Sequence, residues 1–289
     1  MTKIIKYVDF WDKWYGEEFS DTFERIFENM KLKKPITLYS KFGHTPLTKD
    51  TINVCFSGEN YDRTDEPFDL HLIMKKTDID KSIVCYPYFT YYPCKHDFWK
   101  ILQAPRQPYT IKARFCIFVV SNPATPDHIR NRFMAILSHV YRKVDSCGLA
   151  YNNTGFRAPG FQGEYNPEYY DLIGRYKFMI CFENNVGEYY CTEKLYNAYM
   201  GGAVPIYWGC PKVKEWFNTK SFLYLEDTSD ESILELISKI VEIDNDDAKY
   251  NEIYNQPLLK DGKIPEEMDI EVIRKHAEEV LRRKGFIDE

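Results

Sequence analysis

A lysine stands near the start of a predicted helix, where the helix dipole disfavours a positive charge. Thr192, Glu193 and Lys194 open a helical stretch after the buried strand predicted at Lys177–Phe182. Thr192 suits the N-cap and Glu193 suits the positive end of the helix. Lys194 indicates a bound anion, and a phosphate docked on the helix N-terminus is the first candidate. The apolar run Ala203–Trp208 predicts the next strand, so the segment is a strand–loop–helix–strand unit of an α/β sheet.

A second cation occupies an equivalent place earlier in the chain. Arg130 lies in the first turn of a helix predicted over Asp127–Val140, which follows the buried strand Phe115–Val120. If the two strands are neighbours in one parallel sheet, Arg130 and Lys194 face one cleft and could share a diphosphate. The alternative for each is a solvated surface charge.

A carboxylate that could act as a base follows another predicted strand. Glu59 comes just after Thr51–Phe56, and Gly58 allows a sharp turn of the chain between them. A carboxylate in this place can accept a proton from an attacking hydroxyl. The residues alone fit an ordinary solvated Gly-Glu turn equally well.

Metal-binding and nucleotide-loop motifs give no comparable signal. Two D-x-D triplets, Asp78-Ile79-Asp80 and Asp244-Asn245-Asp246, resemble a Mn²⁺-binding motif, but neither comes just after a predicted buried strand. We therefore interpret both as solvated loop charges. The chain has neither G-x-G-x-x-G nor a Walker loop, which leaves dehydrogenase and kinase functions unsupported.

The order of three short strings resembles a known family. FEN at 182–184, Y-x-TEK at 190–194 and AVPIYWG at 203–209 are similar to the donor-binding signature of the α-1,3/4-fucosyltransferases. The resemblance covers roughly residues 50–270 and is greatest to the small bacterial members. It implies an α/β fold of the GT-B type, with two Rossmann-like domains facing a cleft and a C-terminal helix that crosses back to the first domain.

The same resemblance assigns roles to the residues described above. It implies that Glu59 is the general base, and that Arg130 and Lys194 bind the diphosphate of the donor. Glu193 could accept hydrogen bonds from ribose or fucose hydroxyls, although it could equally be a plain helix-start carboxylate.

Further positions match the family with more open alternatives. Asn184 and Tyr190 match donor-contacting positions, but Asn184 could form a local turn and Tyr190 could belong to the core. For the acceptor, the aromatic start of bacterial relatives implies Trp11, Trp14 and Tyr15, which could instead pack inside the first domain. Cys191 departs from the residue that many relatives carry before TEK, and we expect only a change in packing.

The resemblance implies inverting transfer of L-fucose from GDP-fucose to a hydroxyl of GlcNAc in a Galβ1-4GlcNAc-type acceptor. The enzyme would be an α-1,3-fucosyltransferase of protein glycosylation, and its products would be Lewis-type or similar glycans. Two alternatives stay open: a GT-B transferase with another nucleotide sugar or acceptor hydroxyl, and a non-catalytic module that binds sugar or nucleotide. No cofactor is required beyond GDP-fucose as donor substrate, and stimulation by Mn²⁺ is left open. The partners are GDP-fucose and an oligosaccharide acceptor. The α-1,3 or α-1,4 linkage, the natural acceptor and the oligomeric state are not determined by the sequence.

The positions of prolines and the apolar spacing predict two domains and a C-terminal helix. We expect an acceptor-binding domain at 1–108, a GDP-fucose-binding domain at 109–265 and a C-terminal helix at 266–289. The prolines of Gln103–Pro108 predict the linker. Apolar spacing predicts helices over Glu17–Met30, Ile233–Ile243 and Pro265–Lys284.

Composition limits the class of protein. The chain has 289 residues, enough for two domains, and a net charge of −6 without a long basic stripe, which argues against nucleic-acid binding. None of the 8 cysteines forms a C-x-x-C pair, and we expect all of them reduced. The chain shows no signal sequence and no apolar run long enough to span a membrane. We therefore expect a cytoplasmic enzyme of bacterial or viral type, or a Golgi-lumen enzyme only if the sequence is truncated.

Overall fold

The computed structural model describes residues 5–10, 20–60, 63–106, 112–159 and 166–288. The chain divides into two compact units. Unit 1 takes Met1–Asp97, Glu188–Tyr190 and Ile264–Glu289, and unit 2 takes Phe98–Gly187 and Cys191–Lys263. The roles expected for the separate domains remain predictions.

Each unit contains one five-stranded sheet, and every strand pair in both sheets is parallel. This arrangement confirms the α/β class. The strands read as short continuous apolar runs because both faces of a parallel sheet are covered. The strands are β1 Ile5–Val8, β2 Ile36–Tyr39, β3 Ile52–Phe56, β4 Leu70–Ile73, β5 Ile83–Cys85, β6 Arg114–Phe118, β7 Asp145–Ser146, β8 Tyr176–Ile180, β9 Val204–Tyr207 and β10 Leu223–Tyr224.

The α-helices alternate with the strands from β6 to β10, whereas β2 to β5 follow one another without an α-helix between them. The helices vary in length from one turn to four. The predicted helices over residues 17–30, 233–243 and 265–284 all occur, with shifted ends. The α-helices of the described residues are α1 Ser20–Phe27, α2 Tyr91–His96, α3 Trp99–Gln103, α4 Ile129–Val140, α5 Pro167–Ile173, α6 Glu193–Met200, α7 Val213–Trp216, α8 Asp230–Asp244, α9 Asp247–Tyr254 and α10 Ile270–Arg283.

Strand order differs between the two units, and the difference locates a crevice. In unit 1 the order follows the chain, β1-β2-β3-β4-β5. In unit 2 it is β10-β9-β8-β6-β7. The chain passes from β6 to β7 on one side and then crosses to β8 on the other side of β6, so the strand order reverses at β6. Ligands of open parallel sheets bind at such a switch point, outside the carboxyl ends of the strands. A ligand of unit 2 is therefore expected at the carboxyl ends of β6 and β8.

The last helix belongs to unit 1, in agreement with the crossing back that the resemblance implies. Its buried face consists of Ile273, Ala277, Val280 and Leu281, which are the positions that the apolar spacing selected. This face packs against α1 and the edge of the sheet at β5. Regular helix begins only at Ile270, because a 3₁₀ turn precedes it.

The segment predicted as a linker is anchored within unit 2 where it is described. The Arg106 guanidinium stacks between the rings of Tyr199 and Tyr254, 4.2 and 4.3 Å from their centroids. It also donates hydrogen bonds to the carbonyls of Tyr254 at 2.7 Å and Ala203 at 2.7 Å. Gln107 and Pro108, which complete the prediction, lie outside the described residues.

The interpretation of Asp244 as a solvated loop charge is wrong. Its side chain is 1% exposed, at the end of α8, and lies 2.9 Å from Lys177 Nζ and 2.7 Å from Arg142 Nη1. The Tyr141 hydroxyl donates a further hydrogen bond at 2.8 Å. The cluster ties α8 to β8, so Asp244 has a structural role. In the other triplet, Asp80 accepts hydrogen bonds from the Ser82 amide and hydroxyl.

Removing the Asp244 charge is expected to destabilise unit 2. Burial raises the pKa of Asp244, but hydrogen bonds from Lys177, Tyr141 and Arg142 outweigh it, and the net shift is downward. Because Asp244→Asn leaves a buried lysine without its carboxylate, we expect it to lower the free energy of unfolding by about 3–5 kcal/mol at pH 7.

The pH dependence of unfolding provides the check. A carboxyl with a lowered folded pKa stabilises the fold above its unfolded pKa of about 3.9, and this contribution is lost as the pH falls through the folded value. Denaturant unfolding at pH 7 and pH 3 should therefore show a smaller difference between Asp244→Asn and the unaltered protein at pH 3. An equal difference at both values would contradict the assignment.

None of the eight cysteines, all of which lie within the described residues, forms a disulfide. Cys55, Cys116 and Cys181 are buried in or next to strands, and Cys85 is half-buried at the edge strand of unit 1. Burial raises the pKa of Cys85 to about 12, so its thiol is protonated near neutral pH. Across the described residues, no helix combines the length and the apolar composition needed to cross a membrane.

Candidate active site

Two cations converge at the switch point of unit 2. The strands β6 and β8 pair directly, with Cys116 opposite Phe178 and Phe118 opposite Ile180. This pairing fulfils the condition set by the sequence, that the strands before the two helices be neighbours in one parallel sheet. Helix α4 follows β6 and helix α6 follows β8, so both helices start at the same edge of the sheet.

Lys194 lies in the first turn of α6, and its ammonium is already paired with carboxylates. Its Nζ is 3.2 Å from Glu183 Oε2 and 3.0 Å from Glu193 Oε1. Burial works to lower the pKa of Lys194, but the Glu183 and Glu193 charges outweigh it and the pKa is raised. The charge that opposes the helix dipole is thus compensated by protein groups.

Thr192 occupies the N-cap position of α6 but does not cap the helix with its hydroxyl. No side-chain capping hydrogen bond forms at this position. The hydroxyl instead donates to Glu183 Oε2 at 2.6 Å, and the Thr192 amide donates to Glu183 Oε1 at 2.8 Å. The predicted position is confirmed, and the expected capping by Thr192 is wrong, because its hydroxyl donates a hydrogen bond to Glu183 and accepts one from Lys194 Nζ.

Glu183 is the residue of this site that the sequence reasoning missed. It is fully buried and contacts both Thr192 and Lys194. The available signal was its place in the FEN string, directly after a buried strand, where only Asn184 was selected.

Glu193 is buried beside Lys194 at the start of α6. Burial raises its pKa, but the Lys194 charge and hydrogen bond outweigh that effect and the net shift is downward. Glu193 is therefore an ionised acceptor at neutral pH, as a role in binding sugar hydroxyls requires. That role remains a prediction.

Arg130 is buried rather than exposed on the surface. Its Nε and Nη2 donate to the Phe182 carbonyl at 3.1 and 2.8 Å, and its Nη1 donates to the Asn122 carbonyl at 3.3 Å. These bonds join the loops that follow β8 and β6. Its charge also lowers the pKa of Lys194, so the two cations face the same region. Helix α4 begins at Ile129, two residues later than predicted, because Asp127 and His128 have φ of +51°.

Glu59 lies at the carboxyl end of β3, the central strand of the unit 1 sheet. The Ser57 hydroxyl and the Glu59 backbone form a tight local turn, with the hydroxyl donating to the Glu59 carbonyl at 3.1 Å. Gly58 does not have a positive φ, so a left-handed backbone conformation is not the reason for glycine at this turn. A Cβ at this position would lie 3.3 Å from the Tyr88 ring, so close packing favours glycine.

Tyr190 and Asn184 occupy different surroundings. The buried Tyr190 belongs to unit 1, and its hydroxyl donates to Glu59 Oε2 at 3.2 Å. Asn184 is half-buried on the loop after β8, and its amide has no hydrogen bond within the described parts of the chain. Their roles in donor binding remain predictions.

Two other predictions concern the acceptor and a metal ion. Trp11, Trp14 and Tyr15, expected at the acceptor, lie outside the described residues. Among the residues that the structure describes, no group of three or more His, Cys, Asp or Glu side chains could hold a metal ion.

Two parallel α/β units, one with two cations at the switch point of its sheet, are an arrangement typical of nucleotide-binding α/β proteins. The family model described as Glycosyltransferase family 10 (fucosyltransferase) C-term matches residues 109–256. This range is more than half of the chain and includes Arg130 and Lys194. The chain belongs to glycosyltransferase family 10, the fucosyltransferases.

Curated relatives agree with this assignment. An α-(1,3)-fucosyltransferase FucT of Helicobacter pylori is 38% identical over 117 residues, which are 40% of this chain and 22% of the relative. A putative fucosyltransferase R654 of Acanthamoeba polyphaga mimivirus is 28% identical over 81% of this chain and 39% of its own length. The human GDP-fucose protein O-fucosyltransferase 3 is 35% identical over 42% of this chain and 25% of its own length. The chain thus spans well under half the length of each of these relatives.

Solved structures confirm the fold. A crystal structure of an α1,3-fucosyltransferase superposes with a TM-score of 0.73 at 22% identity, covering 96% of this chain and 89% of that one. A crystal structure of an α1,3-fucosyltransferase with GDP-fucose gives the same TM-score of 0.73 and covers 99% of this chain and 92% of that one. The GT-B fold implied by the sequence resemblance is therefore confirmed.

Proposed function

We propose that this protein transfers L-fucose from GDP-fucose to a hydroxyl of GlcNAc in a Galβ1-4GlcNAc-type acceptor, with inversion, as an α-1,3-fucosyltransferase. The observation that carries the proposal is the pair of cations at the carboxyl ends of β6 and β8, the buried Arg130 and the half-buried Lys194. Both lie within the range that the fucosyltransferase family model matches.

Departure of GDP places negative charge on the leaving diphosphate. Preorganised cations and the N-terminus of α6 stabilise that charge, because they need no reorganisation as the bond breaks. Lys194 is held in place by two carboxylates, and Arg130 is fixed by the Phe182 and Asn122 carbonyls. Two fixed cations can stabilise the leaving group without a metal, so the reaction is proposed to need none, with Mn²⁺ at most stimulating it.

The acceptor hydroxyl must lose a proton as it attacks the anomeric carbon. Glu59 is the proposed base, and its carboxylate is oriented by the Tyr190 hydroxyl at 3.2 Å. A single displacement converts the β-linked donor to an α-fucoside, which is inversion. The proton passes to the Glu59 carboxylate and the bonding pair leaves with GDP.

Nucleotide selectivity tests the donor. Isothermal titration with GDP, UDP and GDP-fucose should show binding of both guanosine ligands and none of UDP. Preference for UDP would replace the proposal by a GT-B transferase with another nucleotide sugar. Binding of GDP-fucose without turnover on any acceptor would favour a non-catalytic binding module.

A different acceptor is a second candidate. The name of the human relative, GDP-fucose protein O-fucosyltransferase 3, describes transfer to protein by that enzyme. Parallel assays with N-acetyllactosamine and with unglycosylated polypeptides, analysed by mass spectrometry, separate the two. Fucose on a Ser or Thr hydroxyl alone would retain the donor and change the acceptor class.

The role of Tyr190 can be decided by one substitution. If its hydroxyl mainly orients Glu59, Tyr190→Phe should lower kcat about tenfold, the rough worth of one hydrogen bond to a charged group. The KM for GDP-fucose should not change. If Tyr190 instead contacts the donor, as the sequence resemblance implies, the KM should rise while kcat changes little. Steady-state kinetics with varied GDP-fucose at saturating acceptor distinguishes these outcomes.

A further inference from the structure

Both carboxylate oxygens of Glu183 accept hydrogen bonds, and the reaction proposed above does not use this residue. Its Oε1 accepts hydrogen bonds from the Thr192 amide at 2.8 Å and the Tyr207 hydroxyl at 3.1 Å. Its Oε2 accepts from the Thr192 hydroxyl at 2.6 Å and lies 3.2 Å from Lys194 Nζ. The carboxylate is fully buried, so these partners replace water completely.

The neighbouring strand leaves space for this side chain. The Glu183 amide donates to the Trp208 carbonyl at 2.9 Å, which continues the pairing of β8 with β9. Gly209 follows with a φ of +140°, and a Cβ there would lie 2.6 Å from the Glu183 Cβ and Cγ atoms. Glycine at this place therefore permits the close approach of Glu183.

We propose that Glu183 is a positioning residue, which fixes the first turn of α6 and the Lys194 ammonium where the donor diphosphate binds. Glu183 acts through Lys194 and has no contact of its own with substrate. The inference rests on the proposed function in one respect, namely that Lys194 binds the diphosphate.

A second lysine of unit 2, the half-buried Lys112, provides a comparison for Lys194. Lys112 Nζ donates to the carbonyls of Gly174 and Gly202 at 2.7 Å each. Burial, followed by the Arg106 charge, lowers the pKa of Lys112 to about 8. Lys194 has a similar setting, with burial and a nearby Arg130, yet its pKa is raised because Glu183 and Glu193 face it.

The charged and titratable groups around Lys194 have distinct roles. The Cys181 and Cys191 thiols are protonated, since burial raises the pKa of each well above its usual value. Tyr207 is likewise neutral, because burial raises its pKa. The groups that set the charge of Lys194 are therefore Glu183, Glu193 and Arg130.

Three variants separate charge from geometry. Glu183→Gln removes the charge and keeps an oxygen that can accept from the Thr192 amide and Tyr207. Tyr207→Phe removes one hydrogen bond to Glu183 and keeps the charge. Asp244→Asn removes a different buried carboxylate, paired with Lys177 at 2.9 Å in the same unit, and serves as the control for lost stability.

The first measurement needs no ligand. The rate of Lys194 acetylation by acetic anhydride is followed from pH 7 to pH 10 by mass spectrometry of the free protein. In Glu183→Gln, loss of the Glu183 charge should lower the pKa of Lys194 and raise the rate at pH 8 about tenfold. Tyr207→Phe and Asp244→Asn should leave the rate unchanged. An unchanged rate in Glu183→Gln, or an equal rise in all three variants, would overturn the inference.

The second measurement links the residue to the donor. GDP affinity of Glu183→Gln should begin to fall at a lower pH than that of the unaltered protein and of Asp244→Asn, because its Lys194 ammonium loses its proton at a lower pH. If the unaltered protein binds GDP and neither readout changes in Glu183→Gln, only this inference fails. If the unaltered protein binds no GDP while acetylation responds as expected, the proposed function fails and the control of Lys194 by Glu183 stands.

Discussion

Glu59→Gln is expected to lower kcat for fucose transfer by about 10²–10⁴-fold, the usual contribution of a positioned general base. The amide keeps the size of the side chain and can still accept the hydrogen bond from Tyr190, but it cannot accept the proton of the attacking hydroxyl. Because Glu59 belongs to unit 1 and the cations to unit 2, GDP affinity should be unchanged.

The matched control is Glu24→Gln, which makes the same change on an exposed position of α1 in the same unit. Initial rates at saturating GDP-fucose and acceptor, together with titration of GDP, give both quantities. A Glu59→Gln variant with the kcat of Glu24→Gln would remove Glu59 from the mechanism and leave the donor site intact.

Lys194→Ala is expected to lower kcat/KM for GDP-fucose by about 10²–10³-fold, as the loss of one preorganised charge-stabilising group does. The loss arises because the diphosphate forfeits a cation and two buried carboxylates, Glu183 and Glu193, lose their counter-ion. Part of the effect could come from a weakened fold, since a buried pair is broken.

Lys177→Ala separates the two causes. Lys177 is a lysine of the same unit whose side chain is 11% exposed, compared with 18% for Lys194, and it too is paired with a buried carboxylate. Both variants should unfold at lower denaturant concentration, but only Lys194→Ala should lose donor affinity. Comparable kcat/KM values in the two variants would contradict diphosphate binding by Lys194.

Local pattern was sufficient to predict the elements of unit 2 that hold the site. Continuous apolar runs identified β6, β8 and β9, since strands of a buried parallel sheet need no alternation. The position of Lys194 at a helix start also followed from the sequence, as did the condition that β6 and β8 be neighbours. That condition concerns pairing at long range, and only the structure could establish it.

The partners of buried charges were not predictable from local pattern. Asp244 looked like part of a polar loop, yet it continues the apolar stripe of α8 one turn after Ile240. Its ion pairs with Lys177 and Arg142 depend on residues far away in the chain. Glu183 was missed for the same reason. Its role depends on contacts with Thr192, Lys194 and Tyr207, which its spacing in the sequence does not reveal.

The most direct test of the central claim is GDP release from GDP-fucose, measured with and without N-acetyllactosamine for the unaltered protein and Glu59→Gln. We expect GDP release that requires the acceptor and is accompanied by formation of an α-fucosylated trisaccharide. In Glu59→Gln this release should nearly disappear. Absence of acceptor-dependent release from a protein that binds GDP would contradict fucose transfer to this acceptor.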